Sequence, residues 1–426
     1  MKVTSLLALG TLALAAPTSS SEQGVKIPLL KRGSTLQTNS DGSLNVHWFF
    51  NHLRHTLLKY NKRFSLPEFL LESSGLLKRD TDASEPLIDQ NESGTDELYY
   101  GSGFVGAAKQ VFTFDFDTGS SDTFVPGPTC GTAQGCVGST KYNQQGVNRG
   151  NKTTITYGSG QVVGNNYLDS VTIAGLTAAN QNIISLTNAT GFSNTAADGL
   201  MGMAFPAISN SKSSPFFFTL INQGKVSPTE FSFYLGRARS GTAGNSEMFL
   251  GGRNEAKYTG AFTSVPVTSQ TYWQVAIDGA NVGSSGVIAN TAGQAAIDTG
   301  TTLIIAPTAA AFALYAKIPG AYPIPFLGGS TQLFAYPCNS KPAVSLTFAG
   351  KKFAINDQDF NFGTASEALG FFGFLFPGQC LGGIAGADLI PGKSLWIVGD
   401  TFLKNWYSTY KYVSPTSASV DFAKAV

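Results

Sequence analysis

Histidine is almost missing from this 426-residue chain: His47, His52 and His55 sit within nine residues, and none follows. If that segment is removed, the remainder has no imidazole, which excludes a Ser-His-Asp or Cys-His nucleophile and a His-ligated zinc. Hydrolytic chemistry would then have to rest on carboxylates or lysine. Charge is scarce too, with Asp, Glu, Lys and Arg making 13% of the chain against about 25% in average usage. No block of like charge is long enough to suggest nucleic acid. After the first residues no apolar run reaches membrane length, and the C-terminal SASVDFAKAV has no hydrophobic tail. Four cysteines without a CxxC spacing leave no metal site, and neither metal nor cofactor is expected.

Glycine, by contrast, is plentiful at 48 residues, which suggests many short strands and turns in a chain long enough for two or three domains. The opening MKVTSLLALGTLALAAPTSS places Lys2 before an apolar run from Leu6 to Leu14, with Ala13-Leu14-Ala15 as a cleavage site. It reads as a secretory signal peptide over residues 1–15, so the product is expected to be secreted, extracellular and free of a membrane anchor. Asn91, Asn151 and Asn188 are N-glycosylation sequons compatible with that route. In an oxidising compartment an even cysteine count favours two disulfides, for which three connectivities exist. Cys130 and Cys136 flank a short Gly-containing loop; a bridge there is natural and leaves Cys338 with Cys380.

The charge is unevenly spread. Residues 17–79 hold nine Lys and Arg against four acids, a net +5, whereas residues 80–426 carry a net −5. At the switch lies Lys78-Arg79, a dibasic pair in a polar stretch of the kind a kexin-like protease cuts. A removable propeptide over 16–79 and an acidic linker over 80–96 are expected, and the histidines leave with the propeptide.

Two phrases repeat. FDFDTGSSDTF at 114–124 and AAIDTGTTLII at 295–305 each run apolar residues into an Asp-Thr-Gly turn. Each aspartate sits at a strand end, where a loop presents a side chain into a cleft. Each turn is followed by an apolar-apolar-Gly element: ADGLMGMAFP, with Gly202, after the first, and LWIVGDTFL, with Gly399, after the second. An ordered doublet of this kind points to two homologous lobes, each giving one carboxylate. Gly119 and Gly300 allow tight turns and N–H groups aimed at the carboxylates, while Ser120 and Thr301 offer hydroxyls to their outer oxygens.

With DTGSSDTFVP, ITYGSGQVVG, DGLMGMAFP, IDTGTTL and WIVGDTFLKNWY in that order, residues 97–426 resemble the pepsin-like aspartic proteases. The resemblance implies a mostly β, bilobal fold, with an N-terminal lobe over 97–265, a C-terminal lobe over 266–426 and the active-site cleft between them. It implies that Asp117 and Asp298 face each other, share a proton and activate a water for peptide hydrolysis. It further implies that Thr118 and Thr299 tie the two loops together and that Cys130–Cys136 and Cys338–Cys380 are paired. Tyr157 with Gly158 and Ser159 reads as a hairpin tip, which in the family is a flap over the substrate. The family usually has Trp at Phe124, so a donor toward the flap Tyr is lost here. Asp115 shares a strand face with Asp117; it is expected to line the cleft and to help accept a basic side chain. LRHTLLKYNKRF resembles the family's inhibitory prosegment, in which Lys59 and Tyr60 would enter the cleft. Acid would then release it, by protonating the aspartates and charging the prosegment histidines below about pH 6.5. The partners expected are peptide or protein substrates and the chain's own propeptide, on a monomer. A catalytically silent binding protein and a two-carboxylate glycosidase are the competing classes.

Overall fold

Phe112, Phe114 and Phe116 are buried while the residues between them are not; this period of two makes Gln110–Asp117 a strand with one face on a core. In the computed structural model, the residues described are 25–28, 30–31, 53, 56, 59–60, 99–136, 140–157, 160–190, 197–237, 246–324, 331–365 and 375–426. The signal-like residues 1–15, the three histidines, Lys78-Arg79, the linker 80–96 with Asn91, and Gly158 and Ser159 lie outside them.

The fold is bilobal and rich in β-strands, and its lobes repeat one pattern. In the first, Gln110–Asp117 runs parallel to Gly199–Gly202, which is antiparallel to Thr123–Pro126, itself parallel to Leu176–Thr190. In the second, Gly293–Ile297 runs parallel to Leu395–Val398, antiparallel in turn to Ile304–Ala306, which is parallel to Ile384–Ala387. Each Asp-Thr-Gly turn therefore leaves one strand and re-enters the sheet two places away, with the apolar-apolar-Gly strand between. Those middle strands are covered on both sides, so Gly199–Gly202 and Leu395–Val398 are buried along their whole length.

The glycines ending them have a steric cause. A Cβ on Gly202 would lie 2.5 Å from the Ser121 backbone, and one on Gly399 would lie 2.5 Å from the Leu303 carbonyl oxygen. Only glycine lets the central strand pass so close beneath the turn.

The lobes share a floor. Glu230–Tyr234 and Glu247–Leu250 join Trp406–Ser414, Ser417–Ala425 and Tyr258–Gln270 in one sheet. The boundary read at 265 and 266 falls inside Tyr258–Gln270, one continuous strand of that floor. Two pieces of the N-terminal segment read as a propeptide also pair with the body. Val25–Pro28 adds antiparallel to Glu247–Leu250, and Leu30–Lys31 to Tyr99 and Tyr100. Disulfides join Cys130 to Cys136 and Cys338 to Cys380. Among the described residues no helix is long and apolar enough to cross a membrane.

Candidate active site

Asp117 ends the strand Gln110–Asp117 and Asp298 directly follows Gly293–Ile297, and both are buried, to 3% and 0% exposure. Their surroundings match atom for atom. The Gly119 N–H donates to Asp117 Oδ1 at 2.8 Å, and the Gly300 N–H to Asp298 Oδ1 at 3.0 Å. The Ser120 and Thr301 hydroxyls donate to the Oδ2 atoms of Asp117 and Asp298. Every oxygen of the pair thus has a donor from its own turn.

Across the lobes, the turns are laced by their threonines. The Thr118 hydroxyl donates to the Ile297 carbonyl at 2.8 Å and accepts from the Thr299 N–H at 2.9 Å. The Thr299 hydroxyl does the same in reverse, donating to the Phe116 carbonyl at 2.6 Å and accepting from the Thr118 N–H at 3.1 Å. Four buried hydrogen bonds hold the two carboxylates at a fixed separation.

Gly119 and Gly300 are not in the left-handed region, so backbone freedom is not why they are glycines. A Cβ on Gly119 would come within 2.6 Å of Asp298 Cγ, and one on Gly300 within 2.7 Å of Asp117 Cγ. Each glycine makes room for the opposite aspartate.

Lys59 lies between the carboxylates, its Nζ donating to Asp117 Oδ1 at 2.6 Å and to both oxygens of Asp298 at 2.9 Å. The Tyr60 hydroxyl donates to Asp298 Oδ2 at 2.8 Å. The described helical positions Leu53, Thr56, Lys59 and Tyr60 recur at helical spacing and so share a face. Leu53 and Tyr60 bury their side chains in an apolar cluster that includes Ile305, Leu333, Leu381 and Ile397.

Burial pushes the Asp117 carboxyl above the usual carboxylate range; Lys59 pulls the other way without overcoming it, and the Asp298 charge adds to the rise. Burial acts in the same direction on Asp298, but the Lys59 charge and the Thr301 hydrogen bond outweigh it and hold that carboxyl below the usual range. For the Lys59 ammonium, burial opposes the charge, yet the two aspartates more than compensate and hold its proton more tightly than usual.

The remaining sequence-derived residues lie on strands of the first lobe's eight-stranded sheet. Tyr157 ends the strand Val147–Tyr157, which pairs with Gly160–Ile173 as a long hairpin; its side chain lies outside the described residues. Phe124 is buried with Ile155, Val162, Ile184 and Leu200, an apolar bed near the closed end of the hairpin, where Ile155 pairs with Val162. Asp115 is half-buried between Tyr100 and Leu200 in register. Its Oδ1 has no hydrogen bond among the described residues, and burial followed by the Asp117 charge pushes this carboxyl well above its usual range. Asn151 is exposed and Asn188 half-buried.

Two supports carried no signal in the sequence. Tyr272 packs on Tyr60 with ring centroids 5.0 Å apart. Asp122 accepts from the Ser209 and Ser211 hydroxyls, the Asn210 and Ser211 N–H groups and the Asn210 amide, pinning the first turn to the loop after Pro206. Serines this far away in sequence cannot be assigned to a carboxylate by pattern.

The eukaryotic aspartyl protease family model matches residues 98–425. An aspartic protease of Phaffia rhodozyma is 36% identical over 427 residues, covering 98% of this chain and 96% of that protein. A cathepsin D of Clupea harengus is 33% identical over 94% of this chain and 95% of its own length. The major aspartyl peptidase 1 of Cryptococcus neoformans var. grubii is 29% identical over 99% and 88%. With its two matched turns and this near full-length likeness, the chain belongs to the eukaryotic aspartyl proteases and is an aspartic-type endopeptidase.

Proposed function

We propose that the chain is the precursor of a secreted endopeptidase that works in acid, with Asp117 and Asp298 as its catalytic pair and Lys59 as its built-in inhibitor. The observation that carries this reading is one ammonium bonded to both carboxylates, each carboxylate also held by its own Gly N–H and hydroxyl. Once Lys59 leaves, two buried carboxylates this close cannot both ionise readily and share one proton. The ionised member takes a proton from a water held between them, and the protonated member donates a hydrogen bond to the scissile carbonyl. The deprotonated water adds to the carbonyl carbon, and the tetrahedral intermediate collapses as the C–N bond breaks and the leaving amine takes the proton that the dyad removed from the water, with no covalent enzyme intermediate. The titration belongs to the pair, so neither residue carries a fixed proton.

The hairpin ending at Tyr157, with its Gly158-Ser159-Gly160 tip, closes on the substrate as a flap. Phe124 gives that flap an apolar bed and, unlike Trp, no hydrogen-bond donor, which weights its closure toward packing. Hydrophobic residues flank the bond that is cut. Residues 1–15 direct secretion and Lys78-Arg79 marks where the propeptide is removed.

The test is release of peptides from denatured haemoglobin at pH 3 to 5 by the processed protein, beside Asp117→Asn and Asp298→Asn. Each substitution is expected to abolish release, and a statine-type mimic of the tetrahedral intermediate to block it. Release that survives either substitution would mean that the twin turns are structural and the chemistry lies elsewhere. Binding of the mimic without any cleavage would favour a silent binding protein.

A further inference from the structure

The repeated turn supplies an internal control. Position for position, Asp115 in the first strand corresponds to Ala296 in the second, two residues before each aspartate. Ala296 is fully buried, so the strand and turn need no acid there. Asp115 is an addition on one side only.

Its setting asks for a partner. Two residues at about 3.3 Å each place it about 7 Å along the strand from Asp117, a distance that the stem of a lysine beside the scissile bond spans. Its cross-strand neighbours are Tyr100 and Leu200, and Leu200 continues into the apolar bed of Phe124, Ile155 and Val162. A buried carboxyl oxygen without a hydrogen bond is costly, and Asp115 Oδ1 is one among the described residues. The charged groups facing it are Asp117, Asp298 and, from the propeptide, Lys59. From the flanking strands, Tyr100 lies directly opposite on the same face, and the Asp198 carboxylate is spent on Thr113. Removing the propeptide takes away the cation and leaves three carboxyl groups together.

We propose that Asp115 makes the cleft's side-chain preference depend on pH, drawing a Lys or Arg beside the scissile bond when ionised and leaving an apolar residue favoured when protonated. This rests on the dyad reading above. Burial and the Asp117 charge keep the Asp115 proton on in strong acid, so the carboxylate emerges as pH rises, and a substrate cation favours that ionisation. Preference for a basic side chain therefore grows with pH.

The experiment uses processed enzyme and peptide pairs that differ only by Lys against norleucine, on one or the other side of the scissile bond. The ratio of their kcat/KM values is read from pH 3.5 to 6.5 for wild type, Asp115→Asn and Asp115→Leu. Taking a ratio within each preparation cancels any loss of folded enzyme. In wild type the ratio for at least one pair should climb by about tenfold, and both variants should be flat. A flat wild-type ratio, or a climb that persists in the variants, overturns the proposal. Cleavage surviving Asp117→Asn would instead sink the dyad reading, and this one with it.

Discussion

Gly119 and Gly300 look alike in sequence to any turn glycine, yet their reason for being glycine lies across the molecule. Each faces the Cγ of the opposite aspartate at a distance a methyl group could not share, 2.6 Å and 2.7 Å. The carboxylates can approach one another only because neither turn carries a side chain at that point. Gly119→Ala and Gly300→Ala should therefore displace the facing carboxylate while leaving the fold intact. A shift of that kind is expected to lower kcat/KM by about 100-fold, against a stability loss of only about 1–3 kcal/mol. Paired measurement of peptide cleavage and thermal melting checks this; equal activity in either variant would show that the dyad tolerates a wider spacing.

At the scale of an element, the helical face bearing Leu53, Thr56, Lys59 and Tyr60 seats its apolar ends in the second lobe and its cation between Asp117 and Asp298, the contacts on which the proposal of a built-in plug rests. The direction of its pH response follows from the two carboxylates. Asp298 is held below its ordinary range, so its hold on Lys59 is complete above about pH 4 and fades only as pH falls through that lowered titration. Asp117 is raised, so on acidification it protonates first and surrenders its share of the ion pair earlier. Lys59 stays charged throughout. The unprocessed precursor should be silent at pH 5 and begin to cleave a fluorogenic peptide only below about pH 4. Lys59→Met removes the latch, and its initial rate at pH 5 should already exceed that of wild type; identical silence in the variant would show that the plug holds by packing alone.

For the whole molecule, the shared floor and its ties decide how the lobes keep their registration. Arg237, which follows the first-lobe strand Glu230–Tyr234, donates to Asp359 and Asn405 from the second lobe, and Lys404 lies 3.2 Å from the same Asp359. The disulfides contribute unequally, since one spans 6 residues and the other 42. Opening the longer loop gives the unfolded chain more freedom. Replacing Cys338 and Cys380 by Ser should therefore cost about 4 kcal/mol, against about 2 kcal/mol for Cys130 and Cys136. Denaturant melts of the two double variants would expose a reversed order, which would place the weaker point in the first lobe.

The fold class, the family and the pair of aspartates could be read from the chain itself, because turn chemistry and apolar-apolar-Gly strands are local signals that recur in order. The donors to each carboxylate were legible for the same reason: Gly119, Ser120, Gly300 and Thr301 lie within three residues of the oxygens they serve. Other features depended on residues far apart in sequence meeting in space. The carbonyls of Phe116 and Ile297 that receive the threonine hydroxyls, the serines that bind Asp122 and the ring of Tyr272 under Tyr60 belong to that group. So does the pairing of Val25–Pro28 with Glu247–Leu250, since any extended segment offers the same backbone donors and acceptors to any free sheet edge. Sequence alone determined which chemistry the chain carries. Tertiary structure decided which groups that chemistry is held by, because desolvation and cross-lobe hydrogen bonds exist only once the lobes have closed around the dyad.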